Sequence, residues 1–109
     1  SFRGLSIAWH EEKNFRIQAV LGFLALGLGW FLKISSTEWL FVIGAIGLVL
    51  VAEVFNTALE ELCDKFKTDL DPHIAKIKDL SAAAVLLASS TAFVVGAIIF
   101  VPYLIKFLS

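Results

Sequence analysis

The longest stretch of this chain without a charged residue comprises residues 80–105. A helix needs roughly 20 consecutive apolar residues to cross the hydrocarbon core of a bilayer, and this stretch exceeds that length. Two shorter apolar blocks precede it, at residues 17–32 and 39–52. A lone spanning strand cannot satisfy its backbone hydrogen bonds in lipid, and three segments are too few for a barrel. All three blocks are therefore predicted to be helices.

The composition is that of an integral membrane protein. Apolar residues make up 59% of the chain, compared with roughly 45 to 50% in ordinary globular domains, and the mean hydropathy is +0.86. A net charge of -1 indicates no strong attraction to nucleic acid, and the single Cys63 excludes an internal disulfide. We predict one all-α membrane domain over residues 1–109. Its transmembrane helices are predicted at about 16–33, 38–64 and 79–107.

The N-terminal segment, residues 1–15, has a different pattern. Phe2, Leu5 and Trp9 form one apolar stripe on a helix, and basic residues occupy the other faces. This pattern predicts an amphipathic helix lying on the cytoplasmic surface of the membrane. The alternative is a disordered N-terminal segment.

Lysine and arginine are unequally distributed around the apolar blocks. Seven lie before the first block or between the second and third, namely Arg3, Lys13, Arg16, Lys65, Lys67, Lys76 and Lys78, and two lie elsewhere, namely Lys33 and Lys106. Membrane proteins carry their excess of Lys and Arg on the cytoplasmic side. The N-terminus and the loop at residues 65–79 are therefore predicted to be cytoplasmic.

The string "AEVFNTALEELCD", residues 52–64, places acidic residues where the second apolar block ends. That block alone would cover about 21 Å of a hydrocarbon core about 30 Å thick, so its helix is predicted to continue through the acids. At about 100° per residue, Glu53, Asn56, Glu60 and Asp64 then form one polar stripe about 80° wide, and Glu61 falls outside it. Charges facing lipid cost several kcal/mol each, so this stripe should face other helices, a cation or a water-filled cleft. The alternative is a helix that ends early and leaves the acids solvated.

Further charged residues lie on the predicted cytoplasmic side, with Glu11 and Glu12 before the first block and Lys76, Lys78 and Asp79 before the third. Carboxylate and amide oxygens suit Mg²⁺, which commonly binds together with substrate phosphates. A metal, a lysine and a proton-accepting carboxylate are the groups that phosphoryl transfer requires. The chain has no GxxxxGK[ST] loop, no GxGxxG motif and no HRD or DFG motif, which excludes the large soluble kinase folds.

Three strings together, "WHEEKNFR", "AEVFNTALEELCD" and "KD" leading into "LSAAAVLLAS", resemble the prokaryotic diacylglycerol kinase family, which includes the undecaprenol kinases. The shared pattern is E-x-x-N-[ST]-A-[IL]-E-x-x-x-D followed by K-D-x-x-[AS]-A-A-V, in the same order over nearly the whole chain. The resemblance implies a homotrimer in the bacterial inner membrane. Each protomer would have a surface helix and three transmembrane helices, and neighbouring protomers would share active sites. The implied reaction moves the ATP γ-phosphate to the hydroxyl of diacylglycerol or undecaprenol at the cytoplasmic face.

The resemblance also implies roles for individual residues. It makes Glu53 the general base and Asn56 the amide that positions the reacting groups. The implied ligands of Mg²⁺ are Glu12 and Glu60, and the implied nucleotide-binding residues are Arg3, Asp64, Lys78 and Asp79. His10 and His73 are assigned no role.

Two other classes of function remain open on the residues alone. A small ion-coupled transporter would use Glu53 as an intramembrane proton or cation site, and a noncatalytic membrane subunit would use the polar stripe to join helices. Small residues such as Gly22, Ala25 and Gly29 are predicted to allow close helix packing. The acceptor lipid is also open, since it could be diacylglycerol, undecaprenol or both.

Overall fold

The computed structural model describes residues 1–66 and 71–109, and it is helical almost throughout. The helices are α1 (Phe2–Glu11), α2 (Lys13–Leu32), α3 (Ser36–Asp64) and α4 (Pro72–Leu108). The last three are long and apolar enough to cross a membrane. The predicted all-α architecture with three spanning segments is confirmed. Lys67, one of the residues used to predict orientation, lies outside the described residues.

A break at Glu12 separates α1 from α2. Glu12 has an extended backbone, with φ -116° and ψ 108°, so the first helix ends earlier than the predicted residue 15. The guanidinium of Arg16 donates to the carbonyl oxygens of Trp9 and His10, at 2.7 and 3.2 Å. Because the last carbonyls of a helix lack partners within that helix, this side chain stabilises the C-terminus of α1. The first turn of α2 thereby terminates α1, and Glu12 lies at the junction.

A tight turn joins α2 to α3 and makes the two helices antiparallel neighbours. Lys33 adopts the left-handed conformation, with φ 57° and ψ 51°, which is common where a helix ends. Ser35 and Glu38 form a reciprocal capping box at the start of α3. Tyr103 of α4 donates its hydroxyl to the Glu38 carboxylate. This bond attaches the far end of α4 to the turn.

The helix α4 begins at Pro72, seven residues before the predicted start at residue 79. Asp71 caps it by accepting a hydrogen bond from the backbone N–H of His73 at 2.9 Å, and proline is favoured in the first turn of a helix. The sequence prediction that residues up to 79 form a loop was therefore wrong from residue 72 onward. As a result, Lys78 and Asp79 are held on a helix.

The helix α3 packs on both α2 and α4, and most extensively on α4. Ile34, Val42 and Ile99 form the buried cluster between the spanning helices. A Cβ atom added at Gly22 would lie 2.9 Å from Ile46 Cγ2, which is closer than a real side chain tolerates. The predicted role of Gly22 in close packing is confirmed.

Candidate active site

The acidic face of α3 is turned toward the protein interior at Glu53. This side chain is 4% exposed, whereas its neighbours Val54 and Phe55 are 37% and 66% exposed. Glu61, which the helical angles set apart from the stripe, is exposed. In a membrane helix, this arrangement keeps the carboxylate away from lipid and presents apolar side chains to it. The helix continues to Asp64, so the alternative of an early helix end was wrong.

Asn56 connects the acidic face to α4. Its amide nitrogen Nδ2 donates to Glu60 Oε1 at 2.9 Å, and its oxygen Oδ1 accepts from the hydroxyl of Ser81 at 2.7 Å. The Ser81 hydroxyl also lies 3.1 Å from the carbonyl oxygen of Lys78. A continuous chain of hydrogen bonds therefore runs from α4 through Asn56 to Glu60.

Ser81 was not among the residues singled out from the sequence, although a signal for it was present. It lies three residues after Lys78, and residues three apart share a face of a helix. The start of α4 at Pro72 brings this turn into the helix. A helix that begins at residue 79, as predicted from the sequence, does not include Lys78 and so does not place Ser81 on one face with it.

Lys78 and Asp64 form an ion pair between the C-terminal end of α3 and the first turns of α4. Lys78 Nζ lies 3.1 Å from Asp64 Oδ1, and the two side chains are 38% and 65% exposed. Exposed pairs of this kind contribute little to stability. Their effect here is on position, since the ammonium group is held beside the acidic face. Two further N–H donors of Lys78 remain for another acceptor.

Glu60 lies two helical turns after Glu53 on the same face of α3, whereas Glu12 belongs to the N-terminal part of the chain. Glu12 is partly buried at the α1–α2 junction.

The remaining predicted site residues, Arg3 and Asp79, are exposed. Within residues 1–66 and 71–109, neither makes a side-chain hydrogen bond or ion pair with the acidic face. Asp79 adjoins Lys78 in the chain, whereas Arg3 lies on α1. Among the eight predicted site residues, the structure joins Asn56 to Glu60 and Lys78 to Asp64 by direct contacts, and Arg3 and Asp79 lie at the surface.

Glu12 and Glu60 carry oxygen donors of the type that Mg²⁺ prefers. Among the described residues, no group of three or more His, Cys, Asp or Glu side chains is placed so that it could hold a metal ion. Mg²⁺ is usually held by one or two carboxylates, with waters and substrate phosphates completing its coordination. Glu12 and Glu60 supply two carboxylates of this kind.

A cavity of about 320 Å³ lies between the three spanning helices. Its walls are mainly apolar and include Gly22 of α2, Phe93 of α4 and Val49 of α3, one helical turn before Glu53. Gln18 and Ser89 are the polar residues of its lining. The cavity therefore lies deeper among the apolar parts of the three helices than the acidic face, whose residues do not line it.

Comparisons with known proteins agree with this architecture. The family model described as prokaryotic diacylglycerol kinase matches residues 1–100. The diacylglycerol kinase of Escherichia coli K12 is 29% identical over 99 residues, which cover 91% of this chain and 81% of that protein. The undecaprenol kinase of Bacillus subtilis is 29% identical over 102 residues, covering 94% and 83%. The diacylglycerol kinase of Synechocystis is 32% identical over 107 residues, covering 97% and 61%.

These matches extend across α1, α2, α3 and most of α4, so they include the whole acidic face and the residues packed against it. They favour a kinase over the ion-coupled transporter and the noncatalytic subunit. The chain therefore belongs to the prokaryotic diacylglycerol kinase family and is an ATP-dependent lipid kinase.

Proposed function

We propose that the chain transfers the γ-phosphate of ATP to the hydroxyl of diacylglycerol or undecaprenol at the cytoplasmic face of the bacterial inner membrane. The observation that carries this proposal is the buried Glu53, which faces inward on a membrane helix beside the Asn56–Glu60 pair. A carboxylate buried in a membrane-spanning helix is energetically unfavourable, and such residues usually have a function. Proton acceptance from a lipid hydroxyl supplies one.

Glu53 is the general base in this proposal, and Asn56 positions the reacting groups. Glu53 lies about two helical turns further into the membrane than Glu60, roughly 10 Å by helical rise. The lipid hydroxyl reaches Glu53 from the membrane side, while the nucleotide approaches from the cytoplasmic side. Accepting the hydroxyl proton makes the oxygen a better nucleophile toward the γ-phosphate.

The nucleotide lies toward the cytoplasmic ends of α3 and α4. Lys78 donates hydrogen bonds to the phosphates, Asp64 holds the lysine by the ion pair, and Asp79 and Arg3 contact other parts of the nucleotide. Glu12 and Glu60 would hold Mg²⁺. When bound, this ion neutralises charge on the phosphates during transfer.

The placement of α1 on the membrane surface is also a proposal. Phe2, Leu5 and Trp9 are 91%, 51% and 42% exposed, which is unfavourable in water and favourable at a lipid interface. Attachment of α1 to the cytoplasmic surface also keeps Glu12 at the height of the phosphates. Residues 1–109 form a single domain in this arrangement.

We further propose that three chains assemble as a homotrimer with active sites shared between neighbours. Within one chain, only 11 to 17% of the most apolar window of each spanning helix is buried, so most of the helix surface is left for lipid or partner chains. Native mass spectrometry of the detergent-solubilised protein should detect a mass of three chains. A monomer under conditions that retain activity would contradict this assembly.

The lipid acceptor is tested directly by phosphorylation. The chain is 29% identical to both a diacylglycerol kinase and an undecaprenol kinase, so similarity does not distinguish them. Purified protein in mixed micelles is incubated with Mg²⁺, ATP labelled in its γ-phosphate, and either lipid. We expect label in at least one lipid and loss of labelling when EDTA removes the metal. Labelling of neither lipid by well-folded protein would contradict the proposed acceptors, and labelling that persists in EDTA would contradict the metal.

A further inference from the structure

We propose that Ser81 is a positioning residue that orients the Asn56 amide and, through it, the carboxylate of Glu60. The inference rests on the proposed role of Glu60 as a metal ligand. Position 81 is an unspecified position, x, in the pattern K-D-x-x-[AS]-A-A-V, so the resemblance assigns it no role. The structure assigns one through two consecutive hydrogen bonds.

The first step is the position of the Ser81 hydroxyl. Ser81 is 6% exposed, and its Oγ lies 2.7 Å from Asn56 Oδ1 and 3.1 Å from the carbonyl oxygen of Lys78. A hydroxyl has a single proton to donate. The shorter distance identifies the Asn56 oxygen as its principal acceptor.

The second step is the orientation of the amide. An ionised carboxylate only accepts hydrogen bonds, so Asn56 must present its NH₂ group to Glu60 to avoid contact between two oxygens. Its carbonyl oxygen then necessarily points to α4, where Ser81 supplies the donor. The reversed amide would lose the bond to Glu60 and bring two oxygens together. Glu60 therefore selects the orientation of Asn56, and Ser81 holds the amide in place by donating to its carbonyl oxygen.

The third step is the effect on Glu60. The bond from Asn56 engages Oε1 at 2.9 Å, whereas Oε2 has no hydrogen bond within residues 1–66 and 71–109. The carboxylate is thus held by one oxygen and presents the other. Removal of a residue that orients a metal ligand typically costs about 10- to 100-fold in metal affinity or activity. Ser81 itself touches no reacting atom.

The test compares three variants, Ser81→Ala, Ser81→Thr and Thr91→Val. Threonine retains the hydroxyl at position 81. The control residue Thr91 donates only within α4, to the carbonyl oxygen of Leu87 at 2.8 Å, so Thr91→Val removes a similar bond away from the site. Binding of Mn²⁺ in the presence of a non-hydrolysable ATP analogue is measured by electron paramagnetic resonance. The KM for the lipid is measured in parallel.

Ser81→Ala is expected to weaken Mn²⁺ binding about tenfold or more and to leave the lipid KM unchanged. Ser81→Thr should restore most of the affinity, and Thr91→Val should match the unsubstituted protein. Equal losses in the alanine and threonine variants would overturn the inference, because packing and not hydrogen bonding would then be responsible. If the alanine variant does not fold, Ser81→Cys serves in its place, since a thiol is similar in size but a weak donor.

A fourth variant, Glu60→Gln, tests the role of Glu60 as a metal ligand separately from the role of Ser81. If Glu60→Gln weakens Mn²⁺ binding and Ser81→Ala does not, the role of Ser81 is refuted while the metal assignment stands. If Glu60→Gln leaves Mn²⁺ binding unchanged, the metal assignment fails and the inference fails with it. Weakened binding in both variants, with recovery in Ser81→Thr, supports both.

Discussion

At the scale of single residues, Glu53 and Glu61 show that one helix can place identical side chains in different environments. Both are glutamates of α3, yet one is 4% exposed and the other is exposed to the surroundings. Their separation follows from the angle between successive side chains, which is a local property of the helix. Burial of a carboxylate in a membrane protein is unfavourable. The difference in environment therefore predicts a difference in function.

The two glutamates make a matched pair of substitutions. Glu53→Gln should lower the rate of lipid phosphorylation by at least about 100-fold. The reason is that general base catalysis typically accelerates a reaction by a factor of roughly 10² to 10⁴. Binding of a non-hydrolysable ATP analogue should change little, since Glu53 lies on the lipid side of the proposed site. Initial rates and equilibrium nucleotide binding give the two measurements.

The control, Glu61→Gln, should retain nearly the full rate, because its side chain is exposed and lies off the acidic stripe. An active Glu53→Gln enzyme would refute the assignment of the general base. A Glu53→Gln enzyme that has also lost nucleotide binding would show that Glu53 serves the nucleotide side of the site.

At the scale of helices, the residues at which helices begin and end determine the positions of several site residues. The carboxylate of Asp71 and the ring of Pro72 start α4 early, which places Lys78 beside Asp64. The guanidinium of Arg16 ends α1, which leaves Glu12 at the junction with α2. Both ends are stabilised by side chains close in sequence. Asp71 and Pro72 are recognisable signals for the start of a helix. The sequence prediction nevertheless places the charged residues that follow them in a loop.

Packing between the helices is tested by alanine substitutions at two glycines of α2. A Cβ at Gly22 would lie 2.9 Å from Ile46 Cγ2, whereas a Cβ at Gly27 meets nothing within 4 Å. Gly22→Ala should lower the free energy of unfolding by about 1 to 3 kcal/mol through overpacking, reduced by the better helix propensity of alanine. Gly27→Ala should raise it by up to about 1 kcal/mol.

Thermal unfolding followed by circular dichroism in one detergent compares the two variants. The prediction fails if Gly22→Ala is as stable as Gly27→Ala. That result would mean that Ile46 moves aside at no cost in stability. The packing of α2 on α3 would then not require their close approach at Gly22.

At the scale of the whole molecule, the described residues extend over 56 × 27 × 21 Å. The longest dimension exceeds the hydrocarbon core of a bilayer, about 30 Å. The predicted cytoplasmic end includes Glu60, Asp64 and Lys78. The distribution of Lys and Arg predicts the side of the membrane on which this end lies, whereas the geometry of the helices does not.

Orientation is tested with single cysteines at the two ends of α3, Thr37→Cys and Lys65→Cys, in a Cys63→Ser background. Thr37 and Lys65 are both exposed, and about 28 residues of helix separate them by roughly 42 Å. In intact cells, a membrane-impermeant maleimide should label the cysteine at 37, and it should label the one at 65 only after permeabilisation. The converse pattern would reverse the predicted orientation.

Features that depend on one helix at a time can be predicted from the amino-acid sequence. These are the three spanning helices, the continuation of α3 to Asp64, and the alignment of Glu53, Asn56 and Glu60 on one face. Each follows from the length of an apolar run or from the angle of about 100° per residue. Neither quantity requires knowledge of a neighbouring helix.

Contacts between side chains of different helices could be identified only from the folded structure. The bonds of Ser81 to Asn56, Lys78 to Asp64 and Tyr103 to Glu38 join residues 25, 14 and 65 positions apart. Such pairs depend on the rotation and axial register of α4 against α3. That register is set by close packing of many side chains at once, so no spacing rule within either helix predicts it.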